Sequence, residues 1–391
     1  MNYEISKLYV SHPMFNNLAI LCVLVLVSAL SVRRHSGSFL DIGQTDQLKG
    51  AAILLVIVGH LWIHVAGLTV IPLLGDYSVC MFLILSGFGL TASLTKETFS
   101  WENWVYRRFY RIMIPYWILT VCWLIADQLF LHRAYSWQEI LSTIFGMNFS
   151  DALKGLDYAR WYITLLLIWY VAFCFANTFL SRVASSLFLC IFGLVLVILQ
   201  FLKLFPLGTS YQLIAFPIGV LLGQFHRPVT NWLSLGSHFK IVTVLTSVVF
   251  IISAFIFLGL KGSSSHNFLR FINYNTTALS YCSAFVMVVG LLGRCGYSSR
   301  FLESWGQVSY EAYLIHGPLL IKYNPVMSIL SEDMFLLNTF ILLAIIWFFS
   351  YLLHVAFRVK QPRTHETAEN IFGVLRPRKN SVFDPSPRNW Q

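Results

Sequence analysis

The chain has 391 residues, 57% of them hydrophobic and only 11% charged, less than half of the roughly 25% charged residues usual in soluble domains. That composition excludes a soluble enzyme and predicts an all-α polytopic membrane protein, a single bundle of about 10–11 transmembrane helices. The net charge of +10 is what membrane orientation and contact with anionic lipid call for. No segment interleaves stacking aromatics with Lys and Arg, so nucleic acid is not an expected partner.

In chain order, apolar runs predict eleven spans at about 16–32, 50–70, 77–94, 112–131, 160–180, 185–204, 209–226, 238–260, 274–293, 306–324 and 335–358. The first run lacks a basic n-region and a small-residue cleavage site, so a retained helix is expected there. Residues 135–150 are amphipathic and too short to span. Residues 1–358 form one membrane domain, and the polar, proline-bearing segment 359–391 forms a cytoplasmic tail. With the N-terminus outside, most of the 27 basic residues fall on the inner side. The seven cysteines include no Cys-x-x-Cys pair and read as small buried hydrophobes.

The second span opens with LKGAAILLVIVGHLWIH, residues 48–64. Lys49 and His60 lie eleven residues apart, close to three helical turns, so they share a face about 16 Å apart along the axis. With Lys49 at the inner interface of a hydrocarbon core about 30 Å thick, His60 sits near mid-membrane and His64 one turn beyond. A neutral imidazole there can accept a proton from a hydroxyl, as a general base does. Packing against a neighbouring helix is the competing explanation. His60 and His64 have a metal-ligand spacing but no carboxylate beside them, so no metal is expected.

In the third span, Ser86, Gly87 and Gly89 permit close approach of a backbone or a ligand. Before the fourth span, Arg107, Arg108 and Arg111 cluster as guanidiniums that suit a phosphate-rich ligand or anchor the helix at the lipid surface. Trp161 and Tyr162 open the fifth span, where an interfacial aromatic belt accounts for them. In the tenth, SWGQVSYEAYLIHGPLL, residues 304–320, Ser309, Tyr310, Glu311 and Tyr313 make the inner half polar. His316 lies at the depth of His60, so the two can face one cavity, and Pro318 kinks the helix.

In this order the blocks resemble the acyltransferase-3 family of bacterial membrane O-acyltransferases. They are Lys49-Gly50 with His60, Phe82 to Phe88, Arg107-Arg108 with Arg111 and Pro115-Tyr116, Trp161-Tyr162 with Leu165, and Ser309-Tyr310 with Tyr313 to Pro318. The resemblance covers residues 48 to about 320, in a core of about 48–358. It implies an acyl-CoA co-substrate, usually acetyl-CoA, entering from the cytoplasm. It implies a carbohydrate acceptor, a surface polysaccharide or its lipid-linked precursor, and residence in a bacterial cytoplasmic membrane. It makes His60 the catalytic candidate and His316 a second, with Lys49, Arg107, Arg108 and Arg111 near the donor's phosphates. Ser86, Trp161, Tyr162, Tyr310 and Tyr313 are candidate substrate-binding residues. The chain departs from the family in three places. Lys49 stands where the family has arginine, the helix at 16–32 is an addition, and Ala159 and Arg160 precede Trp161 where some relatives have a histidine. A transporter or flippase for a glycan or small solute, with the same histidines lining a path, is the alternative function class.

Overall fold

The computed structural model describes residues 10–35, 39–63, 71–94, 100–148, 156, 158–202, 204, 212–234, 236–260, 267–323 and 334–358. Among them are fifteen α-helices and one short ribbon. The helices are α1 (Pro13–Leu30), α2 (Ile42–Ile63), α3 (Ile71–Ser93), α4 (Trp101–Arg108), α5 (Ile114–Leu131), α6 (Trp137–Ile144), α7 (Trp161–Phe179) and α8 (Arg182–Phe201). They continue as α9 (Ala215–Gln224), α10 (His226–Ser234), α11 (Gly236–Leu260), α12 (Asn267–Arg294), α13 (Arg300–Gln307), α14 (Ser309–Pro318) and α15 (Phe335–Arg358). A π-helical turn, Phe109–Met113, joins α4 to α5, and another, Leu319–Tyr323, continues α14.

The chain is thus an all-α polytopic membrane protein. Eight helices among the described residues are long and apolar enough to cross a membrane: α1, α3, the joined α4–α5, α7, α8, α11, α12 and α15. The other three expected spans fall on helices of a different kind. The inner half of α2 carries Gln44, Asp46, Gln47 and Lys49 and starts eight residues before the apolar run at 50. Helix α9 has ten residues, and the earlier part of the span expected at 209–226 lies outside the described residues. The span expected at 306–324 is split. Val308 ends α13, and α14 then turns back alongside α2.

β1 (Val32–Arg34) pairs antiparallel with β2 (Tyr297–Ser299) and marks one end of the bundle. Arg33 forms an ion pair with Glu303 there, and Gln47 accepts a hydrogen bond from the Ser299 N–H at 2.9 Å. The ribbon end therefore gathers the start of α2, the end of α12 and all of α13. Helix α1 touches α13 and α15 but is otherwise almost wholly outward-facing, as an addition to a complete bundle would be.

The packing that matters for the site is backbone against backbone. A Cβ on Gly50 would collide with the Leu302 carbonyl, and one on Gly306 with the Asp46 carbonyl. These reciprocal contacts press α13 onto α2, which only glycine allows. Gly50→Ala is therefore expected to force the two helices apart and destabilise the fold by about 1–3 kcal/mol, the usual range for overpacking. A lowered unfolding temperature in detergent would register it. Gly87 and Gly219 do the same for α3 and α9, where each meets the partner's backbone.

Two cysteines, Cys80 and Cys282, are buried as expected. Cys22, Cys122 and Cys295 are exposed instead. The first two sit on the outward faces of α1 and α5, where an apolar side chain can lie in lipid as readily as in the core.

At the far end, the carboxylate of Asp127 on α5 is fully buried. It is ion-paired with Lys322, accepts from Tyr135 and accepts from Tyr323 at 2.6 Å. Lys322 Nζ also donates to Tyr135 at 3.1 Å. This cluster ties α5 and the turn before α6 to the segment just beyond Pro318. Helix α6 begins with a full capping box between Ser136 and Glu139. The Ser136 N–H and hydroxyl hold the Glu139 carboxyl below its ordinary range.

Candidate functional site

A cavity of about 620 Å³ extends inward from the ribbon end. Its walls come from α2, α3, α4 with the first π turn, α7, α13, α14 and α15. Lys49, Ser86, Arg108, Arg111, Tyr162, Tyr310 and Tyr313 all line it. Arg107 is exposed and does not line it, and Trp161 is half-buried beside Tyr162. His64 lies outside the described residues.

Each wall residue is held by a nameable contact. Arg108 lies over the faces of Trp104 and Tyr170, 5.9 and 5.6 Å from their centroids, a cation–π arrangement. A π turn leaves a backbone carbonyl short of its α-helical partner. At the turn that carries Arg111, Tyr310 donates to the Ile112 carbonyl at 2.8 Å. Lys49 is ion-paired with Asp46 at 3.0 Å on its own helix, so its charge is locally neutralised. That spacing of three residues was readable in the sequence, once α2 is extended to Ile42.

Tyr162 and Tyr313 meet edge to face at the floor, with ring centroids 5.1 Å apart. Ser86 lines the cavity with Tyr162, and Tyr313 donates to the Ala159 carbonyl. The start of α7 is packed against α5 and α14. Arg160 is 1% exposed and donates to Thr120 at 2.6 Å, and Asn148 donates to the Arg160 carbonyl at 3.3 Å. Helix α7 therefore begins partway along α5, at the depth of Tyr116 and Thr120. The reason is chain path: α6 folds back along α5, with Tyr116 and Trp117 donating to the carbonyls of Thr143 and Ile144.

Directly behind Tyr313 are the two histidines. His60 Nδ1 and His316 Nε2 are 2.8 Å apart, with the rings nearly parallel at 13° and centroids 5.0 Å apart. His316 is fully buried and His60 half-buried. Neither lines the 620 Å³ cavity; the Tyr313 ring, which does, is 5.3 Å from the His316 ring.

The hydrogen bonds fix the tautomers. His316 Nδ1 faces the Tyr313 carbonyl at 2.7 Å and the Ala312 carbonyl at 3.2 Å. A carbonyl only accepts, so Nδ1 carries the proton and Nε2 accepts. His60 Nδ1 must then donate to it, which leaves the lone pair of His60 on Nε2. The pair is a polarised relay: the backbone orients His316, and His316 orients His60. The arrangement matches the logic of a general base held by a second group.

Sequence reasoning did not single out two further wall residues, Glu311 and His354, whose Oε1 and Nδ1 are 3.1 Å apart. Glu311 had been noted as polar. His354 had a readable signal, an ionisable residue inside the last apolar span.

No curated protein and no solved structure matches the chain. The family model for the acyltransferase domain does, over residues 42–355. That range begins at the start of α2 and ends in α15. It takes in every cavity-lining residue except Phe357, and both histidines, while leaving α1 outside. The chain belongs to the acyltransferase-3 family of membrane acyltransferases.

Proposed function

We propose that the protein moves an acetyl group from acetyl-CoA to a hydroxyl of a surface polysaccharide or its lipid-linked precursor, in a bacterial cytoplasmic membrane. The observation that carries this reading is the His60–His316 hydrogen bond, set immediately behind the floor of a cavity that holds two arginines. The positive-inside bias makes the ribbon end cytoplasmic. The donor then docks from the cytosol, with its phosphates on Arg108 and Arg111 and its thioester arm running toward Tyr162 and Tyr313.

His60 Nε2 takes the proton of the acceptor hydroxyl as the oxygen attacks the thioester carbonyl. The new C–O bond forms, the C–S bond breaks, and the proton passes on to the departing thiolate to give CoA. His316 stabilises the imidazolium that forms on His60, because its Nε2 already accepts from Nδ1. Arg107 lies off the cavity wall and Lys49 is ion-paired with Asp46, so in this reading phosphate binding rests on Arg108 and Arg111.

Purified protein should be stabilised against heat by CoA, and less by CoA lacking its 3′-phosphate. Arg108→Gln combined with Arg111→Gln should raise the Kd for CoA at least tenfold, by loss of charge-assisted bonds. Stabilisation by a free sugar and not by CoA would instead favour a transporter. Mass spectrometry of surface glycans with and without the protein should show an increment of about 42 Da per acetyl group, the covalent mass added.

A further inference from the structure

The cavity holds a second titratable pair that the acyl-transfer reading leaves unused. Glu311 on α14 and His354 on α15 both line it, joined at 3.1 Å. A carboxylate accepts, so His354 Nδ1 carries a proton, and in the neutral ring Nε2 presents a lone pair. That Nε2 is buried and has no hydrogen-bond partner among the described residues. A buried polar atom in that state costs stability until something satisfies it.

The charges around it are segregated. Lys49 is neutralised by Asp46, so the wall made by α2, α14 and α15 offers hydrogen-bond acceptors: Asp46, Glu311 and His354 Nε2. The wall made by α4 and its π turn carries the two guanidiniums of Arg108 and Arg111, which only donate. A ligand that is anionic throughout suits one wall and is repelled by the other. A ligand with phosphates at one end and N–H groups at the other satisfies both.

We propose that the Glu311–His354 pair recognises an N–H group of the acyl donor, with Glu311 fixing the tautomer and His354 Nε2 accepting the hydrogen bond. The inference rests on acyl-CoA being the donor. That molecule brings N–H groups from two sources, the adenine amine and the pantetheine amides.

The test is equilibrium binding to the full-length protein and to His354→Ala, His354→Gln and Glu311→Gln. The probes are CoA, a CoA analogue with hydrogen in place of the adenine amine, and 4′-phosphopantetheine. His354→Ala should weaken CoA about tenfold, and His354→Gln, which keeps an acceptor, should recover most of that. If the adenine amine is the group read, the penalty vanishes with the amine-free analogue. If a pantetheine amide is read, the penalty persists with all three probes. Equal CoA affinity of His354→Ala and the unaltered protein overturns the proposal. So does a loss of unliganded thermal stability with all three affinities kept, which marks a purely structural pair. If the unaltered protein does not bind CoA at all, the donor reading itself falls.

Discussion

His60→Ala is expected to lower kcat by about 10²–10⁴-fold, the span that a positioned general base contributes, while leaving CoA binding unchanged. The two readouts separate because of where the residue sits. The groups assigned to the donor are on the cavity walls, and His60 is behind the Tyr162–Tyr313 floor. The variant should insert and fold, since a half-buried imidazole is replaced by a smaller apolar group. His316→Ala should act in the same direction, with CoA binding equally untouched, because His60 then loses the acceptor that fixes its tautomer. Kinetics with radiolabelled acetyl-CoA would measure both. Activity retained in His60→Ala would remove the mechanism, and label held on the protein without acceptor would replace direct transfer by an acyl-enzyme relay.

Asp127→Ala should destabilise the protein by about 3–5 kcal/mol, the cost of breaking a buried ion pair from one side. The carboxylate is fully buried and takes Lys322, Tyr135 and Tyr323 together. Its loss strands an ammonium group whose side chain is only 7% exposed. Replacing both partners by apolar residues, Asp127→Leu with Lys322→Met, should recover much of the stability, because the desolvation cost disappears along with the attraction. Reversible unfolding in detergent would compare the three. A single variant as stable as the unaltered protein would mean that the ion pair is not buried in the folded state. The cluster also bears on the site. Pro318 interrupts the helix just past His316, and Lys322 and Tyr323 anchor the segment that follows. Catalytic loss in Asp127→Ala under conditions where it stays folded would trace to a displaced His316.

Helical hydrophobic runs made the all-α membrane class readable, because a bilayer demands long apolar segments whatever their neighbours. The run at 335–358 coincides with α15. The run at 306–324 did not reveal the α13–α14 break. Nothing local forces a reversal at Val308; it follows from α13 docking on α2 through Gly50 and Gly306. The packing of the start of α7 against α5 was hidden for a similar reason. Trp and Tyr at the head of an apolar run look alike at a lipid interface and in a buried recess.

Spacing along one helix fixes relative depth, so the sequence alone set His60 eleven residues from Lys49 and placed His316 at a comparable level on another span. It also carried the ordered blocks that mark the acyltransferase-3 family. Only the tertiary structure decided that the two imidazoles share a hydrogen bond, that Arg108 and Arg111 line the cavity while Arg107 does not, and that Glu311 faces His354. The rise of a helix is a property of the backbone and can be counted from residue numbers. Which side chains meet across helices depends on their rotation and tilt, and those are settled by packing among segments far apart in the chain.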